Sequence, residues 1–139
     1  MAVYYEEIQL TTKGENDIID LTTNIQDIVT KSCIANGIIC VFIPGSTGTI
    51  TTMEYEPGLK KDIPQALDEI APKSLPYEHH KTWHDTNGRS HVKASIMGPD
   101  LTLPIANGKV IHGTWQQIVF MELDVQPRQR KIVLQIVGE

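Results

Sequence analysis

Hydrophobic and polar residues alternate from Val3 to Leu10, the two-residue period of a half-buried strand, and the turn-forming Lys13-Gly14-Glu15-Asn16 then leads to a second short strand at Ile18 to Leu21. The two read as a hairpin. From Thr23 the period changes: Ile25, Ile28, Val29 and Cys33 fall on one face of a helix, with Thr23 as its cap, Gln26 three residues on, and Asn36-Gly37 as its stop. Ile38 to Ile43 is an unbroken run of β-branched and other apolar residues, the pattern of a strand buried on both faces at the centre of the core. Pro44 to Gly48 turns the chain into a further strand, Thr49 to Glu54. A second helix runs to about Ala71 with Leu59, Ile63, Leu67 and Ile70 on one side, and it accommodates Pro64 in its first turn, with Asp62 as cap, or by a kink.

Pro72 to Ser90 has neither period and reads as a long functional loop. Strands then follow at Val92 to Met97, Leu101 to Ile105, Lys109 to His112, Gln116 to Leu123 and Lys131 to Val137, with Asn107-Gly108 as a hairpin turn. The sum is a single α+β domain over residues 1–139, with about nine mostly antiparallel strands in two packed sheets and two helices.

Composition narrows the function. The 139 residues carry a net charge of −5, which disfavours nucleic acid or an anionic membrane surface as a partner and leaves a small molecule or another protein. No apolar run approaches the ~20 residues of a membrane helix, and Met1 to Thr11 lacks the basic and apolar regions of a signal peptide. Cys33 and Cys40 read as buried thiols, so the expected compartment is the cytoplasm.

The chemistry concentrates between Tyr77 and His91, where His79, His80, His84 and His91 stand with Glu78 and Asp85. Imidazole is a common metal ligand and a proton carrier, and neighbouring carboxylates fix its tautomer. Solvated loop histidines are the plain alternative, because the spacing matches no helical zinc motif. His112 lies apart and reads as structural. Gly45-Ser46-Thr47-Gly48 after the apolar strand is either an anion-binding loop or a simple turn, and it lacks the lysine of a P-loop. Glu54 is a general base, an outer ligand or an exposed strand residue. Trp115 is a packing residue or a pocket wall, and Arg128 and Arg130 share a solvated face or grip a phosphate.

Tyr77-x-His79, Ser90-His91, Ser95 to Gly98, Pro104, Gly108, Gly113-Thr114-Trp115-Gln116 and the final Arg-x-Arg before an apolar strand ending Gly138-Glu139 occur together and in order. In this combination the chain resembles the YjbQ-like family, also called the secondary thiamine-phosphate synthase family, over nearly its whole length. The resemblance implies a homotrimer with a polar site near subunit boundaries. It also implies a divalent metal, zinc or magnesium, on His79 and His91, and a transferase activity that joins a pyrimidine diphosphate to a thiazole phosphate and releases pyrophosphate. On that reading Glu54, His79 and His91 are catalytic, and Ser46, Thr47, Asn87, Trp115, Gln116, Arg128 and Arg130 hold the substrate. One departure stands out: many members carry a histidine where this chain has Gly45. Two alternatives use the same parts, a non-catalytic trimeric binding module for a phosphorylated metabolite and a metal-dependent phosphoester hydrolase.

Overall fold

The computed structural model describes all of residues 1–139 as one α+β domain of eight strands and four helices. The elements in chain order are β1 (Ala2–Thr11), β2 (Ile18–Asp20), α1 (Thr22–Ser32), β3 (Gly37–Phe42), β4 (Gly48–Met53), α2 (Leu59–Ile70), α3 (Glu78–Trp83), α4 (Gly88–Met97), β5 (Asp100–Ala106), β6 (Lys109–Val110), β7 (Gln117–Glu122) and β8 (Gln129–Gly138). All strand pairs are antiparallel. They form a five-stranded sheet in the order β1-β8-β3-β5-β6 and a three-stranded sheet in the order β2-β7-β4. No helix is long and apolar enough to cross a membrane.

The expected hairpin between β1 and β2 does not form. β1 pairs along its whole length with β8, from Ala2 opposite Gly138 to Thr11 opposite Gln129, while β2 pairs with β7 in the other sheet. The turn chemistry after Thr11 is correct for a chain reversal, but the reversal carries the chain from one sheet to the other. Facing residues of the two sheets bury the main core: Ile39, Val41 and Ile43, then Ile132, Leu134 and Ile136, meet Ile50, Ile118 and Phe120, and α1 closes one side with Ile25, Ile28 and Val29. The other face of the small sheet, with Val119 and Met121, packs against Leu67 of α2 and Ala94 of α4. β7 is therefore the strand covered on both faces, since every residue from Ile118 to Glu122 is buried. β3 is central in the large sheet as expected, but it is covered on one face only, with Ile38 52% and Phe42 38% exposed on the other.

Local details depart from the sequence reading for identifiable reasons. Asp20, not Thr23, holds the start of α1, accepting from the Thr22 N–H at 2.9 Å and its hydroxyl at 2.6 Å, while Gln26 leaves the helix to bond Gly108 O and Val110 N. The helix ends at Ser32, and Cys33 takes a left-handed conformation (φ 60°) that leaves it exposed rather than on the buried face. In α2 the Glu56 carboxylate, not Asp62, receives the first N–H groups, from Gly58 and Leu59, and Pro64 lies buried in the second turn. Ile70, expected on the packed side, is 58% exposed.

The largest revision concerns residues 72–97. The expected loop contains α3 and the start of α4, and the expected strand Val92 to Met97 is the rest of α4. Apolar residues at 92, 94, 96 and 97 mimic a strand, yet Val92 and Ile96 are the exposed ones. The inward positions are Ser90, Lys93, Ala94 and Met97, at helical spacing. A buried lysine hid this face: Lys93 is 1% exposed and reaches Asp68 of α2 as an ion pair.

Candidate functional site

Three chain segments converge where β4 begins, where β7 ends and where α4 starts. β7 delivers Glu122, fully buried, and the following loop delivers Asp124, 2% exposed. The same loop crosses from the small sheet to the large one and brings Arg128, and β8 brings Arg130. Arg130 donates through Nε to Glu122 Oε2 at 2.9 Å and closes a second bond to Glu122 through its Nη2. Arg128 donates through Nε to Asp124 Oδ2 at 2.8 Å. Thr12 at the end of β1 locks the pairs together, its hydroxyl donating to Glu122 Oε2 at 3.0 Å and accepting the Arg128 N–H at 2.9 Å. Bidentate pairing of this kind fixes a guanidinium in direction as well as position.

Burial pushes the Asp124 carboxyl up, but the Val125 N–H, the Arg128 guanidinium and the Asn87 amide together outweigh it and hold Asp124 below its ordinary value. Thr47 stands between the two pairs. Its hydroxyl accepts from Arg130 Nη2 at 2.8 Å and donates to Asp124 Oδ2 at 3.3 Å, so it is committed to the protein. Ser46 beside it is exposed and has its hydroxyl free.

The histidines come from α3 and α4. The ring centroids of His79 and His91 are 4.4 Å apart. His79 Nε2 lies 3.1 Å from Asp85 Oδ1 and 3.1 Å from the Asn87 amide. Asp85 thus holds His79 in place. Burial, and then the neighbouring His79, push the His91 pKa below its ordinary value, against the opposing pull of Asp85 and Asp124. At neutral pH His91 is therefore a neutral base beside an oriented imidazole.

Ser46, Thr47, Asn87, His91, Asp124, Arg128, Gln129 and Arg130 line a cleft of about 330 Å³ that has no hydrophobic wall. The arginine Nη1 groups, which make no hydrogen bond within the protein, are the remaining donors of the two guanidiniums.

The model of the family described as "UPF0047 protein YjbQ-like" matches residues 6–139. The chain belongs to the YjbQ-like UPF0047 family. A UPF0047 protein of Methanothermobacter thermautotrophicus is 37% identical over 139 residues, covering 100% of this chain and 95% of the relative. UPF0047 protein YugU of Bacillus subtilis is 32% identical, covering 94% and 97%. Among solved structures, a YbjQ-like protein of unknown function from Sulfolobus solfataricus P2 superposes with a TM-score of 0.92 at 34% identity and 99% coverage of both chains. A hypothetical protein from Aeropyrum pernix K1 gives 0.90 at 28% identity, with 98% and 99% covered.

Within this YjbQ-like chain the expected site residues divide into two groups. His79, His91, Asn87, Ser46, Thr47, Arg128 and Arg130 come together. Glu54, Trp115 and Gln116 do not: they lie past the other end of the β4–β7 ladder, where Met53 faces Gln117 rather than Gly48 facing Glu122. Five residue steps at about 3.3 Å place that end roughly 17 Å away. There Trp115 is 72% exposed, and Gln116 accepts the Gly113 N–H at 2.9 Å. His80 is a packing residue, its Nε2 accepting the Gly88 N–H at 3.0 Å, and His84 is the exposed left-handed residue ending α3. His112 donates Nδ1–H to Gly113 O at 2.9 Å, outside the cleft.

The metal implied by the resemblance finds an incomplete donor set. No three His, Cys, Asp or Glu side chains converge as ligands, and His79 is already engaged by Asp85 and Asn87. The two imidazoles alone do not make a structural or catalytic zinc site, which takes at least three protein ligands. Gly45 does not simply leave a gap for a lost histidine. Its φ of +119° suits glycine, and a Cβ there would stand 3.1 Å from Arg130 Nη1. Glu122 and Asp124 are the participants that sequence reading missed. Their signal was an acid pair two residues apart at the end of an apolar strand, followed by an arginine pair with the same spacing.

Proposed function

We propose that the cleft binds the phosphate of a small metabolite and that His91 accepts a proton from the bound molecule or from water. The observation that carries this reading is the neutral His91 beside two arginines, each held from behind by its own buried carboxylate, in one cleft without apolar lining. Phosphoryl oxygens would accept from the Nη1 groups of Arg128 and Arg130 and from the Ser46 hydroxyl. Fixed donors of this kind stabilise developing charge without reorganising. His79, steadied by Asp85, would stand against His91, whose burial favours the neutral ring. No step runs through a metal.

Titration calorimetry with inorganic phosphate and a panel of phosphomonoesters tests the reading. Arg128→Ala is expected to weaken binding at least tenfold. His91→Gln is expected to retain binding and lose any turnover. Phosphate binding that is unchanged in Arg128→Ala would overturn the assignment.

The thiamine-phosphate synthesis implied by the family resemblance is a narrower version of the same reading. It needs an aromatic wall for the pyrimidine. Trp115 lies at the far end of β7, so the wall would have to come from a second copy. Incubation with both precursors, giving no more thiamine phosphate than a His79→Ala, His91→Ala variant gives, would remove it. A binding module without catalysis predicts ligand-induced stabilisation with no turnover. A metal-dependent phosphoester hydrolase predicts turnover abolished by chelator. The homotrimer is supported by the uncovered apolar face of the large sheet, where Ile38, Phe42, Val133 and Val137 lie together.

A further inference from the structure

A second depression adjoins the cleft. It measures about 240 Å³ and is lined by Gly45, Ser46, Gly48, Ala94, Ser95 and Pro99. Ser46 belongs to both walls. α4 makes the connection continuous, because His91, Ala94 and Ser95 stand at i, i+3 and i+4 and so share one face of the helix. A molecule anchored at the arginines therefore passes Ser46 and His91 and enters the groove between α4 and the Pro44–Gly48 turn. All the formal charge in the combined site lies on the first half. The second half is bordered only by uncharged residues, and its polar groups are hydroxyls and backbone.

Resting on the phosphate reading above, we infer that the groove is the subsite for the organic part of the ligand, and that the ligand is a phosphomonoester with a single, neutral, compact body of sugar or single-ring size. The volume suits a small body: at about 30 Å³ for a water-sized group, the groove accommodates on the order of eight such groups. The lining sets the charge. A second phosphate placed there would find no charged side chain in the lining and would share Arg130 with the first, a cost that an uncharged hydroxylated body does not incur. Ser46 and Ser95 offer hydroxyls that both donate and accept, which suits a polyol or a polar ring. Gly45 and Ala94 leave the groove open with their short side chains. Gly48 lets the turn pass close over Phe120, whose ring a Cβ there would meet at 2.6 Å. Ser95 is exposed at the rim and can be enlarged without entering the core.

The test is calorimetry on the full chain at fixed ionic strength with three probes: inorganic phosphate, ribose 5-phosphate and fructose 1,6-bisphosphate. Ribose 5-phosphate is expected to bind at least tenfold more tightly than inorganic phosphate, and the bisphosphate more weakly than ribose 5-phosphate. Ser95→Phe is expected to lower ribose 5-phosphate affinity to the level of inorganic phosphate while changing phosphate affinity less than twofold, which also reports an intact fold. Ser95→Leu provides the same block with a smaller side chain. Retention of the ribose 5-phosphate preference in both variants overturns the inference, as does a bisphosphate that binds as tightly as the monoester. If phosphate binds but ribose 5-phosphate gains nothing over it, the groove assignment falls and the phosphate site stands. If phosphate does not bind, both fall.

Discussion

Replacing Glu122 with leucine isolates the energetics of the buried pair that shapes the cleft. Glu122 is fully buried and Arg130 is 9% exposed at its side chain, so neither charge is solvated well enough to stand alone. The carboxylate accepts from Arg130, from the Thr12 hydroxyl at 3.0 Å and from the Asp124 N–H at 3.1 Å. Removing it leaves a guanidinium, a hydroxyl and an amide without their partner. Loss of one member of a buried ion pair costs about 3–5 kcal/mol. That is a large share of the roughly 5–15 kcal/mol by which such domains are stable. At about 2–4 °C per kcal/mol for a chain near this size, the melting temperature should fall by roughly 6–20 °C. Arg130→Met should cost a similar amount, because it strands the carboxylate instead. The double variant Glu122→Leu, Arg130→Met removes both charges together and should recover to within about 1 kcal/mol of the native protein, since apolar replacement of a whole buried pair is often neutral. Urea denaturation followed by far-UV circular dichroism measures all four proteins as a double-mutant cycle. A cost below about 1 kcal/mol for Glu122→Leu, or a double variant as unstable as the two singles summed, would refute the argument.

His91 should make stability pH-dependent in a defined direction. Its folded pKa lies below the ordinary histidine value of 6.5, so between the two the unfolded chain binds more protons and stability rises with pH. The contribution is complete above the unfolded value and is lost as pH falls through the folded one. His91→Gln should flatten the unfolding free energy in that window, and proton NMR should show a His91 titration midpoint below 6.5. Gly88→Ala should destabilise α4, because its Cβ would meet Tyr77 Cβ and Cγ at 2.6 Å, whereas Gly108→Ala meets nothing within 4 Å and is opposed only by its φ of +74°. A larger loss at Gly88 in thermal melts is the expected order. Protein purified without added metal should carry less than one equivalent and keep its melting temperature after chelator treatment, given the incomplete donor set; tightly held stoichiometric zinc would contradict this. If the outer face of the large sheet joins copies, as the proposed homotrimer requires, Phe42→Asp should shift size-exclusion elution toward monomer.

Much of this protein is local in origin and readable along the chain. Alternation located β1, the apolar runs located β3 and β7, and Asn107-Gly108 marked a turn that the structure contains, with both residues at positive φ. The two arginines and the histidine pair were visible because charged and imidazole side chains stand out from their surroundings. Pairing was not visible. The alternation in β1 is satisfied equally by a neighbouring hairpin strand or by β8 more than a hundred residues away, and only the closure of the large sheet around β3 selects β8. α4 was hidden because its inward face carries Ser90 and Lys93, and a lysine reads as solvent-facing until Asp68 of α2 is brought to it. The site divided for a similar reason. Gly45–Thr47 and Glu54 are close in sequence but lie at opposite ends of one strand, while Glu122 and Arg130 are joined by a loop that changes sheets. Sequence determined which residues carry charge and which side chains seek burial. Tertiary structure decided which charges face each other, because that depends on strand register and sheet crossing, and neither leaves a periodic trace in the chain.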